Sequence, residues 1–204
     1  MTTLQLISAR RRTLANQLDD LSADQWAAPS LCDAWSVRDV VGHLVMPFTH
    51  SMPKVLLGVL KARGNWHRFS EGAARENGRR PTGDLVALLR EHADDPWAPP
   101  GGGLIGALTD LTVHSLDIAR PSGIDPEIAD ETALAVLDNL VSPKARKAFD
   151  VDLTGLLLES TDADWRHGAG KPVRGTTVDL ILAVSGRAGA LLEGEGAPTL
   201  ERVS

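Results

Sequence analysis

The sequence predicts a mainly α protein, a helical bundle over residues 1–150 followed by a small α+β domain over 151–204. Two observations support this. Up to about residue 150 apolar residues recur at intervals of three, four and seven between capping signals. From about Leu153 the texture changes to short apolar runs bounded by Gly, Asp and Thr, as strands are.

Leu4, Ile7, Leu14, Leu18 and Leu21 set an amphipathic helix over about 3–20. Ser22-Ala23-Asp24-Gln25 is a capping box that starts a short turn near Trp26. Ser36-Val37-Arg38-Asp39 is a second cap, with Trp35 placed to staple onto Val40. The helix it opens carries Val37, Val40, Val41, Leu44 and Val45, with His43 on or beside that stripe. Pro47 should kink it before it resumes through Leu56, Leu57 and Leu60 and stops near Gly64. Weaker helices follow over 66–76 and 84–92, then an irregular Pro/Gly stretch over 95–103 that lacks a P-loop lysine.

Leu104 to Ala119 is the central helix, and Asp125-Pro126 reads as the start of the next, running to about Val141. A short turn occupies 142–149. In the second domain, 155–160 and 165–168 read as strands, 171–175 as a turn, 176–192 as a helix and 199–203 as a last strand.

The chain has 204 residues, a net charge of −6 and one cysteine, Cys32. The charge, without basic clusters, argues against nucleic acid; Arg10-Arg11-Arg12 and Arg79-Arg80 read as solvated helix surface. One cysteine excludes an internal disulfide and fits a reducing cytoplasm. No apolar run reaches the roughly 18 residues of a membrane span and no signal-peptide core is visible, so a cytoplasmic protein without a membrane partner is expected.

On a helix, Asp110, His114 and Asp117 stand at i, i+4 and i+7, on one face. Such a carboxylate and imidazole can grip one divalent cation, and His43 from the earlier helix would add a second imidazole. Two histidines and a carboxylate leave a coordination position open, as in catalytic zinc sites; nickel or iron would also accept them. Asp117 is placed either to hold the other ring nitrogen of His114 or to pair with Arg120. Cys32 reads as a half-buried structural thiol. His50 lies about 10.5 Å along the axis from His43 and should not share the ion.

Cys32-Asp33-Ala34-Trp35-Ser36-Val37-Arg38-Asp39-Val40-Val41-Gly42-His43-Leu44 resembles the loop-plus-helix signature of the mycothiol-dependent maleylpyruvate isomerase family. Val113-His114-Ser115-Leu116-Asp117-Ile118-Ala119-Arg120 resembles its second signature. The tail, with Asp162-Ala163-Asp164-Trp165, Val173-Arg174-Gly175 and Ser185-Gly186-Arg187, is similar to the family's small C-terminal domain.

The resemblance implies a DinB-like four-helix bundle whose divalent metal, commonly zinc, is held by His43, Asp110 and His114. Asp110 stands where the isomerase has glutamate, one methylene longer. It also implies mycothiol as cofactor, a thiolate activated by the metal for attack on a small electrophile, and isomerase or transferase activity. Arg187 is the matching candidate for an arginine used in binding or catalysis. A non-catalytic metal-binding sensor of the same fold is the alternative, and a monomer or homodimer is expected.

Overall fold

The structure is a computed structural model that describes residues 1–33, 35–99 and 101–200. It is mainly helical, with a three-stranded sheet in the C-terminal part. The chain divides into two compact units, one of Thr2–Trp97 with His114–Pro126, the other of Met1, Ala98–Val113 and Glu127–Ser204. The division falls inside one uninterrupted helix.

In the first unit, α1 (Thr3–Asp19), α2 (Ala23–Ala27) and α3 (Val37–Leu44) each begin with a complete capping box, from Thr2, Ser22 and Ser36. In each box the hydroxyl accepts from the N3 amide while the N3 side chain accepts from the cap amide, so two orphan donors are satisfied locally. The apolar stripes that follow pack α3 against α6 (Trp66–Gly78) and α1 against α7 (Thr82–Glu91). Ile7, Leu14, Val37, Val40, Leu85 and Leu116 are fully buried there. The approach of α3 to α6 depends on Gly42, where a Cβ would fall 2.3 Å from the Ala74 carbonyl oxygen and 2.7 Å from the Gly78 nitrogen.

The expected kink at Pro47 is a break. Helix α3 ends at Leu44, Met46–Thr49 forms a separate turn (α4) with the proline in its first positions, and α5 runs over Met52–Lys61. A proline has no amide to continue the ladder.

Arg10 and Arg11 are not solvated surface: they are 4% and 6% exposed. Arg10 donates to Ser115 Oγ at 3.1 Å, to Gln17 Oε1 at 3.0 Å and to the Pro126 carbonyl; Arg11 donates to the His92 and Asp95 carbonyls, both at 2.8 Å. A buried guanidinium needs such acceptors. The same contacts correct the expected helix start at Asp125. Gln17 Nε2 donates to the Asp125 carbonyl at 2.6 Å, Arg10 takes the next one, and Glu127 has φ +47°. The segment is therefore held irregular, and α9 begins only at Asp130, running to Leu140.

Helix α8 (Gly103–Ser122) passes from one unit into the other. In the second unit, α9, α10 (Pro143–Phe149) and α11 (Thr177–Val184) accompany a sheet of order β2-β1-β3. Strand β1 (Leu156–Ser160) pairs antiparallel with β2 (Arg166–Gly168) and parallel with β3 (Lys171–Gly175). Residues 171–175, expected as a turn, are thus a strand; Pro172 is tolerated because β3 ends the strand order.

The helix expected over 176–192 stops at Val184. Ser185 Oγ bonds back to the Ile181 carbonyl at 2.7 Å, Gly186 has φ +72°, and Asp179 Oδ1 takes the Leu191 amide of the returning chain. Near the end, Ala197–Leu200 is a helical turn (α12) where a strand was expected; residues 201–203 lie outside the described residues.

Candidate metal centre

His114 is fixed by its own helix. It is 8% exposed, and its Nδ1 lies 2.8 Å from Oδ2 of Asp117, which is fully buried. An ionised carboxylate can only accept, so Nδ1 is the donor in this pair. Of the two partners that the sequence left open for Asp117, the structure places His114 in hydrogen-bond contact with it.

His43, on the last turn of α3, is held in the same way from another element. Its Nδ1 lies 3.1 Å from Ser70 Oγ on α6. The two imidazoles meet edge to face, with ring centroids 4.8 Å apart. Trp35, in the loop before α3, lies over both, 5.3 Å from the His43 ring and 6.0 Å from that of His114. The residue read from sequence as a staple onto Val40 thus places its indole against the two candidate ligands.

Asp110 is one turn before His114 on the uninterrupted α8. Donor atoms of His43, Asp110 and His114 lie within 4.8 Å of one another. Tetrahedral ligands at about 2.0–2.1 Å from zinc stand roughly 3.4 Å apart, so modest side-chain rotation would close the set on one ion. The donor chemistry fits too: two imidazoles with occupied Nδ1 atoms and one carboxylate suit zinc, nickel or iron(II).

A second donor group was missed in the sequence. A donor atom of Cys32 lies within 4.8 Å of others on His114 and Asp117. The loop is brought there by the Leu31 amide, which donates to the Asp117 carbonyl at 3.1 Å, and by the Ser30 hydroxyl, which bonds the Cys32 and Trp35 carbonyls. No local signal marks this approach, because it depends on a contact between residues far apart in the chain.

Arg187 does not stand on a helix; it follows the Gly186 bend. Its amide donates to the Leu182 carbonyl at 2.8 Å, and its guanidinium lies 6.0 Å from the Phe149 ring centroid. Phe149 lines a cleft of about 210 Å³ whose wall also includes Thr109, Asp110, Asn139 and Lys144. Asp110 and the ring beneath Arg187 therefore border one cleft.

His50 belongs elsewhere, as its spacing indicated. It is 6% exposed, with Nδ1 2.9 Å from Thr49 Oγ1 and its ring edge-on to Phe69.

Residues 7–98 match the family model described as the mycothiol maleylpyruvate isomerase N-terminal domain. The match covers 92 of the 204 residues, fewer than half of the chain. Among solved structures, the chain is similar to the mycothiol-dependent maleylpyruvate isomerase, with a TM-score of 0.64 and 14% identity over 96% of this chain and 92% of that one. A histidine-to-alanine mutant of the isomerase gives a TM-score of 0.62 at the same identity and coverage. The isomerase fold is thus shared along nearly the whole chain. No curated protein sequence matches.

Proposed function

We propose that the chain is a metal-dependent enzyme that uses a low-molecular-weight thiol, mycothiol in the reading favoured by the domain family that its N-terminal part matches, to isomerise a small electrophile or to transfer the thiol onto it. The observation that carries this is the pair His43 and His114, each with Nδ1 already engaged, joined by Asp110. A divalent ion held by these side chains would lower the pKa of a thiol bound in the open position and so supply a thiolate near neutral pH.

The protein's own groups do the rest. Asp117 accepts from His114 Nδ1 and keeps the ring aligned, and the Ser70 hydroxyl holds the His43 ring through its Nδ1. Trp35 shields the imidazole faces from water. The cleft beside Asp110 receives the electrophile, with Phe149 as an apolar wall and Arg187 placed to bind an anionic group of the substrate.

Purified protein should hold about one divalent ion per chain, with zinc first in expectation and nickel or iron next. His43→Ala or His114→Ala should remove it, and Asp117→Asn should weaken affinity by about 10–100-fold. Full occupancy in both alanine variants would sink the ligand assignment. Millimolar mycothiol should shift the visible spectrum of cobalt-substituted protein; an unchanged spectrum would favour a metal-binding sensor without thiol chemistry.

A further inference from the structure

Helices α5 and α6 lie side by side, joined by residues 62–65. Lys54 Nζ bonds Glu76 Oε1 at 3.0 Å, and a Cβ on Gly58 would fall 2.3 Å from the Phe69 ring. Early residues of α5 thus meet late residues of α6, and the pair is antiparallel. On α5 the residues turned toward α6 are Lys54, Leu57, Gly58 and Lys61, spaced i, i+3, i+4 and i+7 as one helix face requires. Arg68, Phe69 and Glu76 answer them from α6. Between the two faces runs a groove of about 450 Å³, with His50 in its wall. Pockets that take small molecules have volumes of about 300–1,000 Å³.

The groove is cationic in an acidic molecule. It is lined by Lys54, Lys61 and Arg68 against one carboxylate, Glu76, while the whole chain carries −6. Lys54 is answered by Glu76. Lys61 and the Arg68 guanidinium stand at the other end, where the helices join, and neither has a carboxylate partner among the described residues. A planar guanidinium beside an ammonium is an arrangement that receives an anionic group.

His50 supplies a polar atom at the opposite end. Its side chain is only 2% exposed, and its Nδ1 lies 2.9 Å from Thr49 Oγ1. Its Nε2 has no hydrogen bond among the described residues; Glu76 Oε2 is 4.0 Å away. A buried ring nitrogen without a partner is uncommon, and the groove is the space His50 borders. Between the two polar ends the lining is apolar, from Leu57, Phe69 and Ala73.

We propose that this groove binds a small aromatic anion. Its anionic group sits at Lys61 and Arg68, its flat body lies against Leu57 and Phe69, and a polar atom at its far end meets His50 Nε2. Lys54 and Lys61 are seven residues apart, about 10.5 Å along α5, which suits a molecule of two fused rings and is short for a peptide. The site uses none of His43, Asp110 and His114, so it stands or falls separately from the thiol reading.

The test is calorimetric titration of the full chain with 6-hydroxy-2-naphthoate, beside its uncharged carboxamide. The imidazole resonances of His50 are followed by NMR, assigned by their absence in His50→Gln. The acid should bind at one site per chain and shift the His50 resonances, with the amide about fivefold or more weaker. Lys61→Gln with Arg68→Gln should bring the acid down to the level of the amide. Gly72→Leu places a side chain in the groove and should abolish binding of both. A Cβ on Gly72 meets nothing within 4 Å, so the fold should survive, shown by a melting temperature no lower than that of the wild type.

Equal affinity for acid and amide overturns the proposal, as does wild-type affinity in Gly72→Leu. So does an absence of binding at millimolar acid, or binding that leaves the His50 resonances unmoved and therefore occurs elsewhere.

Discussion

Single residues here are set by what their second polar atom touches. The shared helix face of Asp110, His114 and Asp117 was legible from their spacing, because helical spacing is local information; which of His114 and Arg120 Asp117 would meet was not. Cys32 was not, since only the Leu31–Asp117 backbone bond brings it to the site. Nor were Arg10 and Arg11, whose acceptors come largely from about 80 to 116 residues away.

His50 has a consequence of its own. Burial holds its pKa below the ordinary 6.5, with Lys54 acting in the same direction and Glu76 against. The folded state thus favours the neutral ring, and the unfolded chain binds the extra proton below about pH 6.5. The stabilisation is complete above that value and is lost as pH falls from it toward the lowered folded pKa. Glu76, whose pKa is lowered by the Lys54 hydrogen bond, acts later, as pH falls through 4.5 and below. Urea midpoints should therefore drop between about pH 7 and pH 5, and His50→Gln should flatten that slope. An equal slope in the variant would remove His50 as its source.

At the scale of elements, starts were more legible than ends. Ser22 and Ser36 open their helices where the capping boxes said, because a box is four consecutive residues acting on each other. Asp125-Pro126 has the same local look but fails, since Gln17 and Arg10 claim the carbonyls a helix would use. Strand β3 was hidden by Pro172 and Gly175, which argue against a central strand but not against one that ends the strand order.

A methyl group should act oppositely at Gly42, where α3 meets α6, and at Gly72, on the exposed side of α6. Gly42→Ala forces a Cβ against the backbone of α6 and should cost about 1–3 kcal/mol in urea unfolding. Gly72→Ala on the exposed face of α6 meets nothing within 4 Å and should add about 0.5–1 kcal/mol. A neutral Gly42→Ala would mean the two helices separate freely, contrary to the contact seen.

For the molecule as a whole, the mainly helical class and the C-terminal sheet were readable, because periodicity shifts near Leu153 from three-and-four to short apolar runs. If His43, Asp110 and His114 hold an ion, native stability must depend on it. At free metal a hundred times Kd the linkage is about 2.7 kcal/mol, equivalent to roughly 5–10 °C in Tm for a chain of this size. Chelator should lower the Tm of wild-type protein by that amount and leave that of His114→Ala unmoved; a chelator-insensitive wild type would argue against a native-state metal.

Trp35 supplies an optical handle on the same state. Its indole lies about one ring-width from both imidazoles, close enough for a paramagnetic cobalt or nickel ion to quench its emission. Filling of the centre should then be visible as light lost by a reporter the protein already carries.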